Sequence, residues 1–451
     1  MSKILQQTKR FETANKFLFR IIYHFVILCY TIFKYERRRA MTTIRRDQTD
    51  PYTKELDAEV QDLAATGEGF LIVLDQTIFF PESGGQPGDK GTIKDLSVVG
   101  VYEKEGIVYH KVVVNKDQMA PNVGDHVHIV LDWDYRFDNM QRHCGEHILS
   151  GIFFELYGAV NRGFHMGDDS MTIDMNLEVD PPNGQQPPKS INWEMAMVAE
   201  EGANKAIWSN LPVTTRLLDS KSDGGSLPLR KDLAIDSNIR IVCVGDPNNP
   251  ADCVACCGTH PAFSGEVGII KILKLENYKG MTRVHFEAGK RAYQKLQEAY
   301  DVASSLGVRF SAPIEGLEDR IKSYEEKNQK SREELYHIKH SIISQRQDEI
   351  RESLSPDIIL RRYSDLKSED LMTLGRGLIR EIPKLLLLVS EDDNTLLLFS
   401  NGDAVDCGKL VKENASIYNG KGGGNKESAR ALFSKKEYLD TFIDLVEKHL
   451  R

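Results

Sequence analysis

His143 and His147 stand four residues apart in RFDNMQRHCGEHILSGIFFEL, where apolar residues recur at helical spacing. On a helix both imidazoles project from one face, one turn apart, and two nitrogen donors so placed can hold one edge of a tetrahedral zinc site. Far downstream, CVACCGTH (253–260) places Cys256 and His260 on either side of a Gly-Thr turn. Thiolate and imidazole are the donors zinc prefers, and a tight turn lets both point inward. Each half has a plainer reading, as a histidine pair on a helix surface or as a buried cysteine cluster beside an unrelated histidine. Together, each half supplies the ligands the other lacks, and the reading is one Zn2+ per chain held by His143, His147, Cys256 and His260. Cys253 and Cys256 also form a CxxC with Cys257 adjacent, so a redox pair or another thiolate stays open. Cys256 is preferred because it alone stands four residues before His260.

A rival pattern overlaps the first pair. His143, Glu146 and His147 fit HxxEH, in which Glu146 would be the general base of a zinc metallopeptidase and a downstream carboxylate the third ligand. That reading leaves the CxxxH segment without a role.

Positioning such residues requires a folded scaffold of several domains. The chain has 451 residues, 41% of them hydrophobic, and a formal charge of −9. A chain this acidic does not offer one broad basic face to nucleic acid, so any such contact is local. Seven cysteines, three of them within five positions, make a poor disulfide framework and a better metal or thiol cluster, with a reducing compartment as the simpler setting. From Leu71, FLIVLDQTIFF, SVVGVY, IVYHKVVV and HVHIVLDW read as short strands at regular spacing, the pattern of a small barrel or sandwich, and PESGGQPGDKG reads as a turn-rich loop. The helix near Arg136 has Phe137, Met140, Ile148, Leu149, Ile152 and Phe153 as core candidates. A second helix is expected over 192–207, with strands at VTTRLLD, IRIVCVG and VGIIKILKLENY.

Residues 292–354 are charged and helical in period, a long helix or helical hairpin ended by Pro356. Beyond it, LLLLVS and TLLLFS read as buried strands, and NGKGGGNKESARALF as a glycine loop running into a helix. From Gly408 to Lys436 there are seven Lys or Arg against two Glu, a surplus of five positive charges. Backbone N–H groups of such a loop, with Lys421 and Lys426, could wrap phosphates; solvated surface charge is the competing reading. At the other end, residues 17–33 are apolar but short for a membrane span and contain Arg20. The first 40 residues read as a dispensable extension, or a start at Met41, with a membrane anchor or organelle-targeting segment as the alternative.

Three segments in order, DQTIFFPESGGQPGDKG, HCGEH and CCGTH, resemble the editing domain of alanyl-tRNA synthetase and its free-standing relatives, the alanyl-tRNA editing (AlaX) family. WDYRFDNMQ resembles the eukaryotic free-standing form. KGGG resembles the DHH-associated domain of the longer members. The resemblance covers roughly residues 65–290 well and the C-terminal region more loosely, and no ATP-site signature is present. It implies an α+β, multidomain fold: an extension (1–40), a small β-barrel with the GGQ loop (41–135), an α+β zinc editing domain (136–291), a helical arm (292–355) and a C-terminal DHH-associated-like α/β domain (356–451).

The resemblance also implies hydrolysis, at zinc, of tRNA(Ala) mischarged with serine or glycine, chiefly serine, by a cytoplasmic protein with no stable membrane association unless residues 17–33 act as an anchor. A non-catalytic tRNA-binding factor with a structural zinc is a further alternative. Thr77 matches the position expected to touch the serine hydroxyl, and ordinary strand pairing is its plainer role. Gln86 would bond substrate or brace its loop. Gly84 and Gly85 would let backbone approach the acceptor end, or simply turn a hairpin. Two departures are Cys257, where the synthetases usually carry glycine, and GFHMGDDS (163–170), which puts His165 near the pocket or in a structural role.

Overall fold

The computed structural model describes residues 42–450 apart from 68, 116–117, 187, 226, 247 and 355–356, so the expectations for residues 1–40 and for Pro356 lie outside the described residues. Among the described residues no helix is long and apolar enough to cross a membrane. The fold is multidomain α+β, and the chain divides into two compact units at Val302/Ala303.

The first unit begins with a closed barrel of six strands: β1 (Glu55–Ala65), β2 (Gly69–Leu74), β3 (Gly91–Ile93), β4 (Leu96–Lys104), β5 (Ile107–Val113) and β6 (His126–Leu131), closed in the order β1-β2-β5-β4-β3-β6. Alternation along β4 and β6 sends Leu96, Val98, Val101, Val127, Ile129 and Leu131 inward and their neighbours outward. The first barrel strand was not anticipated: Glu55, Asp57, Glu59 and Asp62 dilute its pattern, although Ala58 and Val60 are buried. The GGQ segment is a tight turn, with Ser83 and Gln86 exchanging both backbone hydrogen bonds. Gly84 and Gly85 both have positive φ (60° and 84°), which a two-residue hairpin turn of this hand requires.

Helix α1 (Trp133–Tyr157) follows the barrel. The Asp132 side chain accepts the Tyr135 N–H at its start, and Gly158 in the left-handed region ends it. Every residue from Arg142 to Phe153 is buried, so this helix runs through the interior rather than along a surface. Met140, Ile148, Leu149, Ile152 and Phe153 lie in the core as read from the sequence, whereas Phe137 is half-buried and stacks on Trp133. Around α1 pack β7 (Ala159–Met166), β8 (Met171–Leu177), α2 (Trp193–Trp208), β9 (Val213–Ser220), β10 (Ser237–Asp246), β11 (Asn249–Ala255), β12 (Ile270–Tyr278) and β13 (Met281–Ala288). They form a four-stranded sheet, β12-β13-β8-β7, and a three-stranded sheet, β9-β10-β11, all antiparallel.

The register of β10 and β11 sets Cys243 opposite Cys253, and the two are joined as a disulfide. That corrects the reading of all the clustered cysteines as free metal or redox thiols: Cys253 is taken up by its cross-strand partner and not by Cys256.

Residues 292–354 form two helices, α3 (Gly289–Phe310) and α4 (Leu317–Arg351), with a break between them. The second unit contains the sheet β14 (Ile358–Tyr363), β15 (Leu385–Ser390), β16 (Thr395–Phe399), β17 (Gly420–Gly424) and β18 (Ser428–Phe433), in the order β14-β15-β16-β18-β17, with helices α5 (Ser368–Arg376), α6 (Cys407–Asn414) and α7 (Lys436–Leu450). LLLLVS is buried on both faces, as a continuous apolar run requires. The glycine segment is a correction. It does not run into a helix but forms edge strand β17, paired with β18. SARALF alternates buried and exposed, which is a strand's period, and the glycines let the two backbones close.

One polar group inside the barrel ties stability to pH. His110 Nδ1 lies 3.0 Å from the Ile72 carbonyl, so Nδ1 carries the proton, and Nε2 accepts the Thr77 hydroxyl at 2.8 Å. Burial pushes the His110 pKa down to about 4. The folded state resists a proton that the unfolded chain accepts below its ordinary value of about 6.5. Stability is therefore full above that value and falls as pH drops toward the folded pKa. Urea unfolding should show a loss of about 2 kcal/mol from this group between about pH 7 and about pH 5, and His110→Gln should remove that part of the slope.

Candidate metal centre

The four expected ligands converge. One ligand atom from each of His143, His147, Cys256 and His260 lies within 4.8 Å of every other. Helix α1 supplies both histidines from one face, and the turn after β11 supplies the thiol and the third ring. Cys256 Sγ stands 3.5 Å from His143 Nε2 and 3.4 Å from His260 Nε2. Zinc bonds of about 2.0 Å to nitrogen and about 2.3 Å to sulfur, at tetrahedral angles, set a nitrogen–sulfur edge of about 3.5 Å. The donor set and its spacing fit that ion. No carboxylate belongs to the group, which counts against the HxxEH arrangement.

The turn is built around His143. A Cβ on Gly258 would lie 2.1 Å from the His143 ring, so only glycine fits there, and the Gly258 N–H donates to the Cys256 sulfur. The Gln86 side chain reaches in from the barrel's tight turn. Its Oε1 accepts the His143 Nδ1–H at 2.7 Å and the Thr259 N–H at 3.1 Å, and its Nε2 donates to the Thr259 hydroxyl at 2.8 Å. Gln86 therefore braces ring and turn at once. His147 Nδ1 is held by Asp252 Oδ2 at 2.9 Å, and Asp252 Oδ1 accepts from Arg230 Nε at 2.5 Å. These outer partners fix which ring nitrogen faces the metal. His260 differs: its Nδ1 is buried without a hydrogen-bond partner.

The electrostatics follow from crowding. Burial alone would raise the Cys256 thiol, but the surrounding imidazoles of His143, His147 and His260 outweigh it and hold the pKa well below its usual range. Burial would lower His147, yet the Cys256 thiolate and the bond to Asp252 lift it to about 10. Burial drives His260 down to about 3.

The centre lines a cavity of about 620 Å³ that also exposes Asn161, Phe164, Arg230, Lys231 and Arg240. Phe164 stacks on the His143 ring. Glu146 lies beside the centre, with Oε1 accepting from Ser150 and Asn161. Neither Gln86 nor Thr77 lines the cavity. The Thr77 hydroxyl accepts the Phe79 N–H and donates to His110, so its one donor and one of its two lone pairs are used inside the barrel. His165 is exposed and outside the lining. Sequence reasoning missed Asp252 and Arg230, which carry no spacing signal. The weak clue for Asp252 was a lone acid four residues before Cys256.

Comparison with known proteins places this architecture. The description of class II (A) tRNA synthetases matches residues 31–135, and that of the threonyl and alanyl tRNA synthetase second additional domain matches residues 239–285, the stretch containing Cys256 and His260. The alanyl-tRNA editing protein AlaX-L of Pyrococcus horikoshii is 30% identical over 419 residues, spanning 89% of this chain and 98% of that one. The alanyl-tRNA editing protein Aarsd1 of Mus musculus is 27% identical, spanning 84% of this chain and 91% of its own. The alanine–tRNA ligase of Archaeoglobus fulgidus is 27% identical over 89% of this chain but only 44% of the ligase. The class is thus that of proteins carrying the second additional domain of threonyl and alanyl-tRNA synthetases. Within it, this chain belongs to the alanyl-tRNA editing protein family, AlaX.

Two measurements check the centre. Because metal must displace the proton that His147 holds up to about 10, zinc affinity should rise with pH, about tenfold per unit near neutrality for one displaced proton, read by competition with a chelating dye. Gln86→Ala should weaken zinc binding about 10–100-fold while far-ultraviolet circular dichroism stays that of the wild type.

Proposed function

We propose that this protein is a trans-editing hydrolase that deacylates mischarged tRNA(Ala), chiefly Ser-tRNA(Ala), at a single zinc site. The observation that carries the reading is the convergence of His143, His147, Cys256 and His260, the first three of which line a cavity, in a chain of the alanyl-tRNA editing family. Zinc held there would supply a positive charge to polarise or orient the ester and its attacking water. The overall reaction adds water across the ester, freeing the amino acid and restoring the terminal ribose hydroxyl. A ribose alcohol is a competent leaving group and needs little acid assistance.

The chain's own residues divide the work. Gln86 and Asp252 hold two ligand rings in fixed orientations, while His260 has no such brace and is the ligand best able to yield a coordination position. Glu146, held by Ser150 and Asn161 beside the cavity, belongs to the wall in this reading rather than serving as a peptidase base. With its one donor committed to His110 and its side chain outside the cavity lining, Thr77 takes the lesser share of recognition in this reading. The five-part division of the chain follows: barrel and zinc fold form the hydrolytic half, the charged helices form an arm, and the C-terminal domain grips the tRNA body. The positive surplus between Gly408 and Lys436 and the exposed Lys421 on edge strand β17 suit that last role.

Selectivity has a physical basis. A pocket for alanine excludes serine poorly, whereas a site that bonds the extra hydroxyl rejects the analogue without it. The zinc-loaded protein should hydrolyse Ser-tRNA(Ala) much faster than Ala-tRNA(Ala), with Gly-tRNA(Ala) as a second substrate, and a chelator should abolish the difference. Equal rates on the seryl and alanyl forms would sink the reading.

A further inference from the structure

We propose that Arg230 is a specificity-determining residue that donates a hydrogen bond from Nη1 to the side-chain hydroxyl of the aminoacyl group. The inference deepens the editing reading and rests on it. Arg230 is 7% exposed, yet it lines the cavity beside the metal centre. Its guanidinium is a rigid fork with donors on three nitrogens. Nε is taken by Asp252 Oδ1 at 2.5 Å, and Nη2 faces Asp252 Oδ2 at 3.4 Å and Glu146 Oε1 at 4.0 Å. Nη1 is buried and has no hydrogen-bond partner among the described residues. A buried charged donor without an acceptor is unfavourable, and a ligand bringing an acceptor recovers that loss.

The charges around it decide what the acceptor is. Two carboxylates, Asp252 and Glu146, already face this one guanidinium. The charge of this guanidinium is already matched by them, so Nη1 can serve a neutral oxygen through a hydrogen bond alone. A seryl ester offers two neutral oxygens that suit: the carbonyl and the side-chain hydroxyl. Asp252 stands between Arg230 and His147, so the guanidinium is one residue removed from the ligand group where the reacting ester would sit. The carbonyl is common to every aminoacyl group and belongs at the centre. The hydroxyl, one bond off the α-carbon's substituent and away from the reacting carbon, is the oxygen we assign to Nη1. An alanyl methyl in the same place would leave Nη1 unpaired, which makes the contact discriminating rather than merely attractive.

The test uses the full-length, zinc-loaded protein. Arg230→Lys keeps a cation against Asp252 and Glu146 but removes the third nitrogen of the fork. Its kcat/KM for Ser-tRNA(Ala), per zinc-loaded site, should fall further than for Ala-tRNA(Ala), lowering the serine-to-alanine ratio by about 10–100-fold. A ratio equal to wild type overturns the proposal, whether or not both rates fall, because a purely structural role moves both together. If the variant does not fold, wild-type protein is titrated with non-hydrolysable, amide-linked seryl and alanyl adenosine. Seryl binding at least about tenfold tighter is required, and equal binding overturns the proposal. A wild type inactive on Ser-tRNA(Ala) but binding the seryl analogue selectively would instead indict the hydrolase reading, so the two failures are distinguishable.

Discussion

The bond between His147 and Asp252 is the constraint on which the metal centre rests. An ionised carboxylate is buried only with partners, and Asp252 has two: the imidazole on one side and the Arg230 guanidinium on the other. Burial alone would raise its pKa, but Arg230 and His147 hold it below the ordinary carboxylate range. Removing one member would leave a charge buried and unpaired, a loss of about 3–5 kcal/mol. The backbone repeats the arrangement. Arg230 N–H donates to the Cys253 carbonyl, so the irregular segment carrying the guanidinium is tied to the strand that carries Asp252 and runs on to Cys256. Ligand, brace and counter-ion therefore move as one piece.

The barrel contributes through a single loop that grips α1 at two points. Asp89 forms a fully buried ion pair with Arg136 in the first turn, and the same guanidinium donates to the Ile78 and Pro51 carbonyls. Gln86, three residues before Asp89, holds His143 two turns further along the helix. Two attachments from one short loop fix both the rotation and the axial position of α1. Gly258 packs directly on the same ring, so His143 is confined between the loop's Gln86 and the turn's backbone. The tight Gly84-Gly85 turn thus serves the metal centre by delivering a side chain, and the backbone approach it permits is secondary.

The four side chains that converge were legible in the sequence because their pattern is written in residue type and short spacing: i, i+4 on a helix for the histidines, and a thiol and imidazole across a Gly-Thr turn. The braces were not, because Asp252 meets His147 across more than a hundred positions and Arg230 sits in a stretch with little regular structure. Gln86 was singled out, yet only the fold distinguishes a brace from a substrate contact. Thr77 shows the converse: its place in a motif says nothing of His110, the buried partner that accepts its hydrogen bond. The glycine run misled for a related reason. Glycines suit a phosphate loop and a closely paired strand alike, and what separates them is the alternating SARALF that follows. A Cβ on Gly422 would lie 2.1 Å from the Arg430 carbonyl oxygen, which is a constraint of strand pairing.

The centre is asymmetric in a way that composition could not reveal. His143 and His147 share a helix and each has an outer partner, so their orientation is set before any metal arrives. His260 shares neither feature. Its ring is buried and neutral, held down to about 3, and its Nδ1 has no acceptor. It has no proton to lose on ligation, but no second bond fixes its angle. A tetrahedral group with four equally braced ligands would be a closed structural site. Three of these four positions are fixed by helix, brace or the backbone N–H on the thiolate, and the fourth has only the Cys256 sulfur and the neighbouring rings. That asymmetry arises because the barrel and β11 each supply one brace while the turn that carries His260 supplies none.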